Sequence, residues 1–222
     1  MANAIYGSFL LVGLATLFAV PVGLLAAIYL AEYRSDRLGP TVRFVGELLG
    51  GVPSIVIGVF AFAVLVQPLG HYSGWAGSFA LGVMMVPIVM RSAEESLKLV
   101  PGTLRSASYA LGASQAQTVL RVIVPAAGPA IITGVFLAIA RIAGETAPLL
   151  FTASSSLYWA KSFNAKVPSL TYYTYFYATS SSAEERQQAW AAALVLLAVV
   201  MILNVGIRLI TGRRQVQASR AD

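Results

Sequence analysis

Two charged residues, Arg141 and Glu145, interrupt a stretch from about Ala126 to Leu150 that is otherwise apolar. A charged side chain near the centre of a bilayer costs roughly 2.5–3.5 kcal/mol, so such residues usually face a bundle interior or a water-filled cavity. A guanidinium presents a planar fork of donors that matches an oxyanion. A carboxylate four residues further along a helix shares its face and can partly neutralise it. The pair therefore predicts either an oxyanion site inside an apolar span or an ion pair that only fixes helix packing.

Two hydroxyl residues, Ser54 and Thr146, are candidate neutral donors for the same site. Hydroxyl groups in membrane helices also bond to their own backbone or to a neighbouring helix. Both interpretations of Ser54 and Thr146 remain open from the sequence.

The composition indicates a membrane protein. Of 222 residues, 58% are hydrophobic and only 11% are charged, whereas soluble domains have about 25% charged residues. The mean hydropathy is +0.76. Cysteine is absent, which excludes disulfides and thiolate metal sites, and acidic residues and histidine are too few to predict a metal centre. The net charge of +6 does not indicate nucleic-acid binding, because the basic residues lie between the apolar stretches.

Five stretches are long and apolar enough to span a bilayer, which takes roughly 20 residues of helix. They cover about 9–31, 52–67, 75–91, 125–150 and 189–209, and a Pro-, Gly- and Ser-containing turn at 67–74 separates the second from the third. The segments are continuous and do not alternate, which favours helices over a barrel. The predicted fold class is an all-α, polytopic helical bundle of about five transmembrane helices, with one domain over 1–222.

The distribution of basic residues predicts the orientation. Connections 31–52 and 91–122 and the tail 208–222 share eleven basic residues: Arg34, Arg37, Arg43, Arg91, Lys98, Arg105, Arg121, Arg208, Arg213, Arg214 and Arg220. The opposite set, residues 1–8, 67–74 and 151–189, has three: Lys161, Lys166 and Arg186. Cytoplasmic loops are enriched in Lys and Arg. We therefore expect the amino terminus outside and the carboxyl terminus in the cytoplasm.

The predicted outer loop, about 151–188, is rich in aromatic residues. It contains the runs 157–159 and 172–177, which are rich in tyrosine, tryptophan and phenylalanine and are aromatic and polar together. Such runs are typical of the headgroup level of a bilayer. A ligand-stacking surface is the alternative interpretation.

The predicted cytoplasmic loop, about 92–122, contains a short helical pattern that ends at Gly112, and it resembles the signature of ABC-importer permeases. That signature is Glu-Ala-Ala, three residues, Gly, nine residues, and an aliphatic-x-Leu-Pro ending. The matching positions are Ser106, Ala107, Ser108, Gly112 and Pro125, with serine in place of the glutamate and of the second alanine. The resemblance implies the type I, MetI-like fold, with a coupling helix at roughly Pro101 to Leu111 that docks into an ATPase subunit. An amphipathic surface helix is the alternative that the pattern alone leaves open.

Further stretches are similar to phosphate permeases of the PstA type. They are Ala140–Phe151, Gly50–Gly58 and Pro87–Arg91 with Glu94 and Glu95. Sulfate or molybdate permeases and the PstC-type partner subunit are the nearest alternatives. Members of this family usually carry another helix upstream, so the resemblance implies a short version or a fragment.

With phosphate as the substrate that the resemblance implies, our hypothesis is that Arg141 lines the path and contacts the anion, while Glu145 holds that arginine and limits its affinity. It also implies a multi-pass protein of the bacterial inner membrane. The implied partners are a PstC-like permease, two PstB-like ATP-binding subunits, which hold ATP and magnesium, and a periplasmic phosphate-binding protein. The sequence contains no G-x-x-x-x-G-K-[ST] motif, so we expect no ATPase site and no cofactor in this chain. Other classes are an ion-coupled secondary carrier, for which no repeated halves are visible, and a membrane-embedded enzyme, for which ionisable residues inside the spans are too few.

Overall fold

The computed structural model describes residues 1–33, 38–156 and 158–218, with side chains up to Gly206. In these ranges the chain forms helices and no strands. The helices are α1 (Ala2–Glu32), α2 (Gly39–Gly51), α3 (Ser54–Leu69), α4 (Gly74–Lys98), α5 (Gly102–Ala110), α6 (Gln115–Ala143), α7 (Ala147–Thr152), α8 (Leu170–Ala178) and α9 (Ala183–Ala218). Leu157 and the side chains of Arg34, Arg37, Arg208, Arg213, Arg214 and Arg220, which the sequence predictions use, lie outside the described residues.

Helix α1 packs along α4 through a row of small residues. The buried positions of α1 recur every three or four residues, and those that face α4 include Ala15, Ala19, Gly23 and Ala27. Small side chains let helix backbones approach closely within a membrane. At Gly23 an added Cβ would lie 3.0 Å from the Val86 carbonyl oxygen and 2.9 Å from Val89 Cβ. The two helices therefore form one closely packed unit at the centre of the bundle.

Two apolar clusters hold α6 against this unit. The first joins Leu11, Ala15, Met85, Val89, Ala138 and Ile142, among others. The second lies nearer to α5 and joins Ala27, Ala31, Ala93, Leu97, Ile123 and Ala127, among others. Since α4 contributes to both clusters, a shift of α4 must be accompanied by movement of α1 or α6.

Helices α2 and α3 form a bent pair that meets at 101°. The bend is at Val52 and Pro53, where the backbone is extended, and proline cannot donate the hydrogen bond that would continue the helix. Helix α2 lies in a stretch for which the sequence predicts only a connection, although Pro40 near its start is a common first helical residue. Within the described part of the chain, four helices are long and apolar enough to span a membrane, or up to five if the bent pair is one span.

The segment after α7 folds back onto the opposite end of the bundle from α5. Val167 is fully buried, and the Ser8 hydroxyl accepts a hydrogen bond of 2.8 Å from the Leu170 backbone N–H. The Tyr173 hydroxyl donates to the Ser156 carbonyl at 3.1 Å. The aromatic rings of Tyr6 and Trp159 lie 5.7 Å apart. This segment is therefore part of the packed structure rather than a free loop.

We expect Gly7→Ala to destabilise the protein, because a Cβ at Gly7 would lie 2.0 Å from the Pro168 carbonyl oxygen. That oxygen belongs to the backbone, so α1 or the segment after α7 must shift, at a cost of about 1–3 kcal/mol. Gly13→Ala in the same helix is the matched control, since nothing lies within 4 Å of its added Cβ. Thermal unfolding of the purified protein in detergent measures both. Equal midpoints for the two variants would contradict this packing.

Candidate functional site

The helix that carries Arg141 ends two residues later. Helix α6 stops at Ala143, and α7 begins after a link of three residues, with Pro148 in its first turn. Glu145 lies in this link, so the pair does not share a helix face as the sequence predicts. No ion pair within 4 Å joins Arg141 to Glu145. Proline suits the first turn of a helix, so α7 starts as a separate helix, and the break lies between the two charges.

A cleft of about 770 Å³ lies between the bent pair α2–α3, helix α4 and the end of α6. Four basic and four acidic side chains line it: Arg43, Arg91, Lys98 and Arg141, and Glu47, Glu94, Glu95 and Glu145. It extends from Ser54 and Arg141 to Lys98, the last residue of α4 and close in sequence to α5. The cleft thus connects the charged pair to the end of the bundle that carries α5.

Within the cleft, one buried carboxylate binds two of the basic side chains. Glu94 accepts hydrogen bonds from Arg43 and from Lys98, and its side chain is only 9% exposed. Arg91 and Arg141 have no carboxylate within 4 Å among the described residues. Two guanidinium groups therefore remain available to an anion in the cleft.

Arg91 is a cleft residue that the sequence reasoning does not place at the site. In the sequence it belongs to the motif Pro87–Arg91 and to the basic residues of the loop 91–122. It is also the first charged residue after the uncharged tract that ends at Met90, and this position could have indicated a role at the site.

The two candidate hydroxyl residues occupy different places. Ser54 is the first residue of α3, is half-buried and lines the cleft. Thr146 precedes α7 and is not among the residues that line the cleft; its carbonyl accepts from the Leu149 and Leu150 backbone N–H groups at 3.1 and 3.2 Å. The structure thus brings Ser54, Arg141 and Glu145 to one cleft and leaves Thr146 beside it.

The predicted coupling segment forms helix α5, Gly102–Ala110, which projects an exposed surface. Ser106 and Ala107 are exposed, and the Ser106 hydroxyl bonds to the Gly102 carbonyl at 3.3 Å. Leu111, just after the helix, is 90% exposed. An exposed apolar residue beside a short exposed helix is a suitable contact for a groove on a partner.

Two other signature positions organise the chain around α5. Ser108 is buried, and its hydroxyl lies 2.8 Å from that of Thr118, so serine here has a partner that alanine would lack. Gly112 has φ of +79°, a left-handed conformation that glycine adopts readily and that commonly ends a helix. Pro125 is exposed within α6, past the π-helical turn Val119–Ile123.

The fold and the exposed α5 are those of a membrane subunit of a binding-protein-dependent importer. The chain belongs to the family described as "binding-protein-dependent transport system inner membrane component", whose model matches residues 19–216. It is 44% identical over 210 residues to the phosphate transport system permease protein PstA of Haemophilus influenzae, covering 94% of this chain and 74% of that protein. To the PstA protein of Yersinia pestis it is 43% identical over 216 residues, covering 97% of this chain and 73% of the relative.

Solved structures agree on the fold. A chain of the MetNI methionine ABC transporter in an inward-facing conformation superimposes with a TM-score of 0.80 at 19% identity, covering 96% of this chain and 95% of that one. A chain of an amino acid ABC transporter superimposes with a TM-score of 0.71 at 16% identity. The predicted all-α, MetI-like permease fold is confirmed, and so is the predicted family resemblance.

Proposed function

We propose that this chain is a permease subunit of an ATP-driven importer of inorganic phosphate, and that the charged cleft is its share of the path. The observation that carries the proposal is Arg141, a guanidinium that lines the cleft without a carboxylate within 4 Å among the described residues and that lies in a stretch of sequence whose only other charged residue is Glu145. Charged residues there are costly and are typical of ion and substrate paths. The similarity to PstA proteins over nearly the whole chain supports phosphate as the anion.

Glu145 has a role in this proposal that differs from holding Arg141. At neutral pH phosphate retains a hydroxyl group that can donate a hydrogen bond, whereas sulfate and molybdate are fully deprotonated. An ionised carboxylate only accepts hydrogen bonds. Glu145 in the same cleft therefore favours the anion that carries a proton, while Arg141 and Arg91 donate to its charged oxygens. Ser54 also lines the cleft and adds a neutral donor.

The partners follow from the same proposal. Helix α5 docks on one of two separate ATPase subunits, which hold ATP and magnesium, and this chain contributes no ATPase site or cofactor. A second permease of the PstC type completes the path, and a periplasmic binding protein delivers phosphate to the segment after α7. The amino terminus is then outside and the carboxyl terminus in the cytoplasm. The chain then forms a single permease domain, and its membrane spans lie near 9–31, 52–67, 75–91, 125–150 and 189–209.

Uptake into proteoliposomes tests the substrate. We expect the assembled complex, with its binding protein and enclosed ATP, to accumulate labelled phosphate and to be unaffected by an excess of sulfate or molybdate. Accumulation of sulfate or molybdate in place of phosphate would instead identify a permease for another oxyanion. Uptake by this chain alone, without ATPase subunits, would contradict the importer and favour an ion-coupled carrier.

A further inference from the structure

One arginine of α5 joins that helix to the core of the bundle. The Arg105 guanidinium donates to Glu32 at 2.7 Å and 3.4 Å, and to the backbone carbonyls of Leu97 and Val100 at 3.1 and 2.9 Å. Glu32 is the last residue of α1, and Leu97 lies in the last turn of α4. A single side chain therefore connects α5 to the ends of both central helices.

The Glu32 carboxylate occupies a position that is unfavourable without this partner. Its side chain is 6% exposed and Arg105 is 23% exposed. A carboxylate at the carboxyl end of a helix faces the negative end of the helix dipole, and a buried charge needs a bonded partner of opposite sign. Both local effects disfavour glutamate here, so its position depends on the tertiary contact with Arg105.

The segment after α5 contacts the same residue. The Gln115 side chain donates to the Glu32 backbone carbonyl at 3.2 Å. The backbone of α5 itself packs mainly against the following segments, Gln115–Thr118 and Val119–Ile123. The end of α1 is thus held from both sides of the loop that carries α5, and Arg105 supplies the charged contact.

From this contact a continuous path leads to the cleft. Helix α1 packs along α4 through its row of small residues, and α4 carries Arg91 and Glu94 of the cleft. A displacement of α5 that is transmitted to Glu32 and to the end of α4 therefore moves the helix that lines the path.

We propose that Arg105 and Glu32 are positioning residues that transmit the movement of α5 to α1 and α4, a role that rests on the proposed function of the chain as an importer permease. They act by making α5 and the ends of the two core helices move together. Without the pair, the ATPase still docks on α5, but the movement of α5 no longer displaces the helices that line the cleft.

The test uses the assembled complex in proteoliposomes with Glu32→Gln, Arg105→Gln and the double variant. We expect ATPase subunits to co-purify normally and ATP hydrolysis to persist. Phosphate taken up per ATP hydrolysed should fall roughly tenfold, within the range of couplings between distant sites.

The double variant should resemble the single ones, because each single variant already removes the one interaction between the two residues. Arg105→Lys should recover part of the ratio, since lysine keeps the charge but not the fork of donors. Glu184→Gln removes an exposed carboxylate in the first turn of α9, outside α5 and the cleft; it is the control and should keep the wild-type ratio.

A second measurement does not depend on the substrate. The chain has no cysteine, so Leu49→Cys on the cleft wall provides a single labelling site. We expect ATP to change the labelling rate of Leu49→Cys in the otherwise wild-type complex. In the complex that also carries Glu32→Gln, ATP should leave this rate unchanged. An unchanged uptake-to-ATP ratio, or an equal ATP response with and without Glu32→Gln, would overturn the transmission role. Failure of the wild-type complex to take up phosphate, with the ATP response intact, would instead contradict the proposed substrate.

Discussion

Replacement of Arg141 by glutamine is expected to abolish phosphate uptake while the complex still assembles in the membrane. The guanidinium lines the cleft without a carboxylate within 4 Å among the described residues, so its removal takes away one of the two unpaired charged donors, Arg141 and Arg91, that the anion can use. Hydrogen bonds to charged groups contribute about 1.5–3 kcal/mol, and each 1.4 kcal/mol is about tenfold. We expect uptake to fall at least tenfold in proteoliposomes. Arg141→Lys should lose less, since it keeps the charge but not the planar fork.

The control for this variant is Glu184→Gln, which removes an exposed charge outside the cleft and outside α5 and should leave uptake unchanged. Accessibility provides a separate check, because Arg141→Cys should react with a water-soluble reagent in at least one nucleotide state. Normal phosphate uptake by Arg141→Gln, or complete protection of position 141 in every nucleotide state, would show that the cleft is not the path. An ion pair that only fixes packing is already disfavoured, since Arg141 and Glu145 are not paired.

Ala107→Arg on α5 is expected to prevent the ATPase subunit from co-purifying and to reduce uptake to background. Ala107 is exposed, so the larger side chain leaves the fold of this chain unchanged. In a docked groove, however, it would place an unpaired charge at the interface, where an unsatisfied charged group costs more than about 1–3 kcal/mol. Co-purification with the tagged ATPase and membrane content of this chain are the two measurements.

Ala178→Arg is the matched control, because it places the same side chain at an exposed helix end on the opposite side of the bundle. It should retain the ATPase. Loss of the ATPase in both variants would indicate a general intolerance of the fold. Retention with Ala107→Arg would show that α5 is not the docking helix.

Some local elements could be predicted because their signals are local. Arg141 is conspicuous in the sequence because charge inside an apolar stretch is rare. The predicted coupling helix, Pro101 to Leu111, agrees closely with α5, Gly102–Ala110, because a glycine in the left-handed conformation ends it. Helix α2 was not predicted, since a mixed polar and apolar stretch between two spans is also typical of an ordinary connection.

Contacts between distant residues could not be predicted. Glu32 and Arg105 are 73 positions apart, and Arg43 and Glu94 are 51 apart. Each of these residues looks like a solvated loop charge in the sequence. Glu145 was assigned to a helix face because its spacing from Arg141 fits one. Helix α6 instead ends at Ala143, and beyond the break α7 packs closely against α3, where an added Cβ at Gly58 would lie 2.7 Å from Pro148 Cα.

The amino-acid sequence by itself determined the class of this protein. A bilayer requires long apolar helices and disfavours charges within them. The spans, the arginine inside one of them and the short helix between two of them can therefore each be predicted from neighbouring residues in the sequence. Only the tertiary structure decided which charges meet. The partner of a charged side chain depends on where two distant helices come together, and no periodicity within either helix encodes that. For this reason Arg141 could be chosen from the sequence. Only the folded bundle showed that Arg141 is not paired with Glu145, that Arg91 has no carboxylate partner, and that Arg105 binds Glu32.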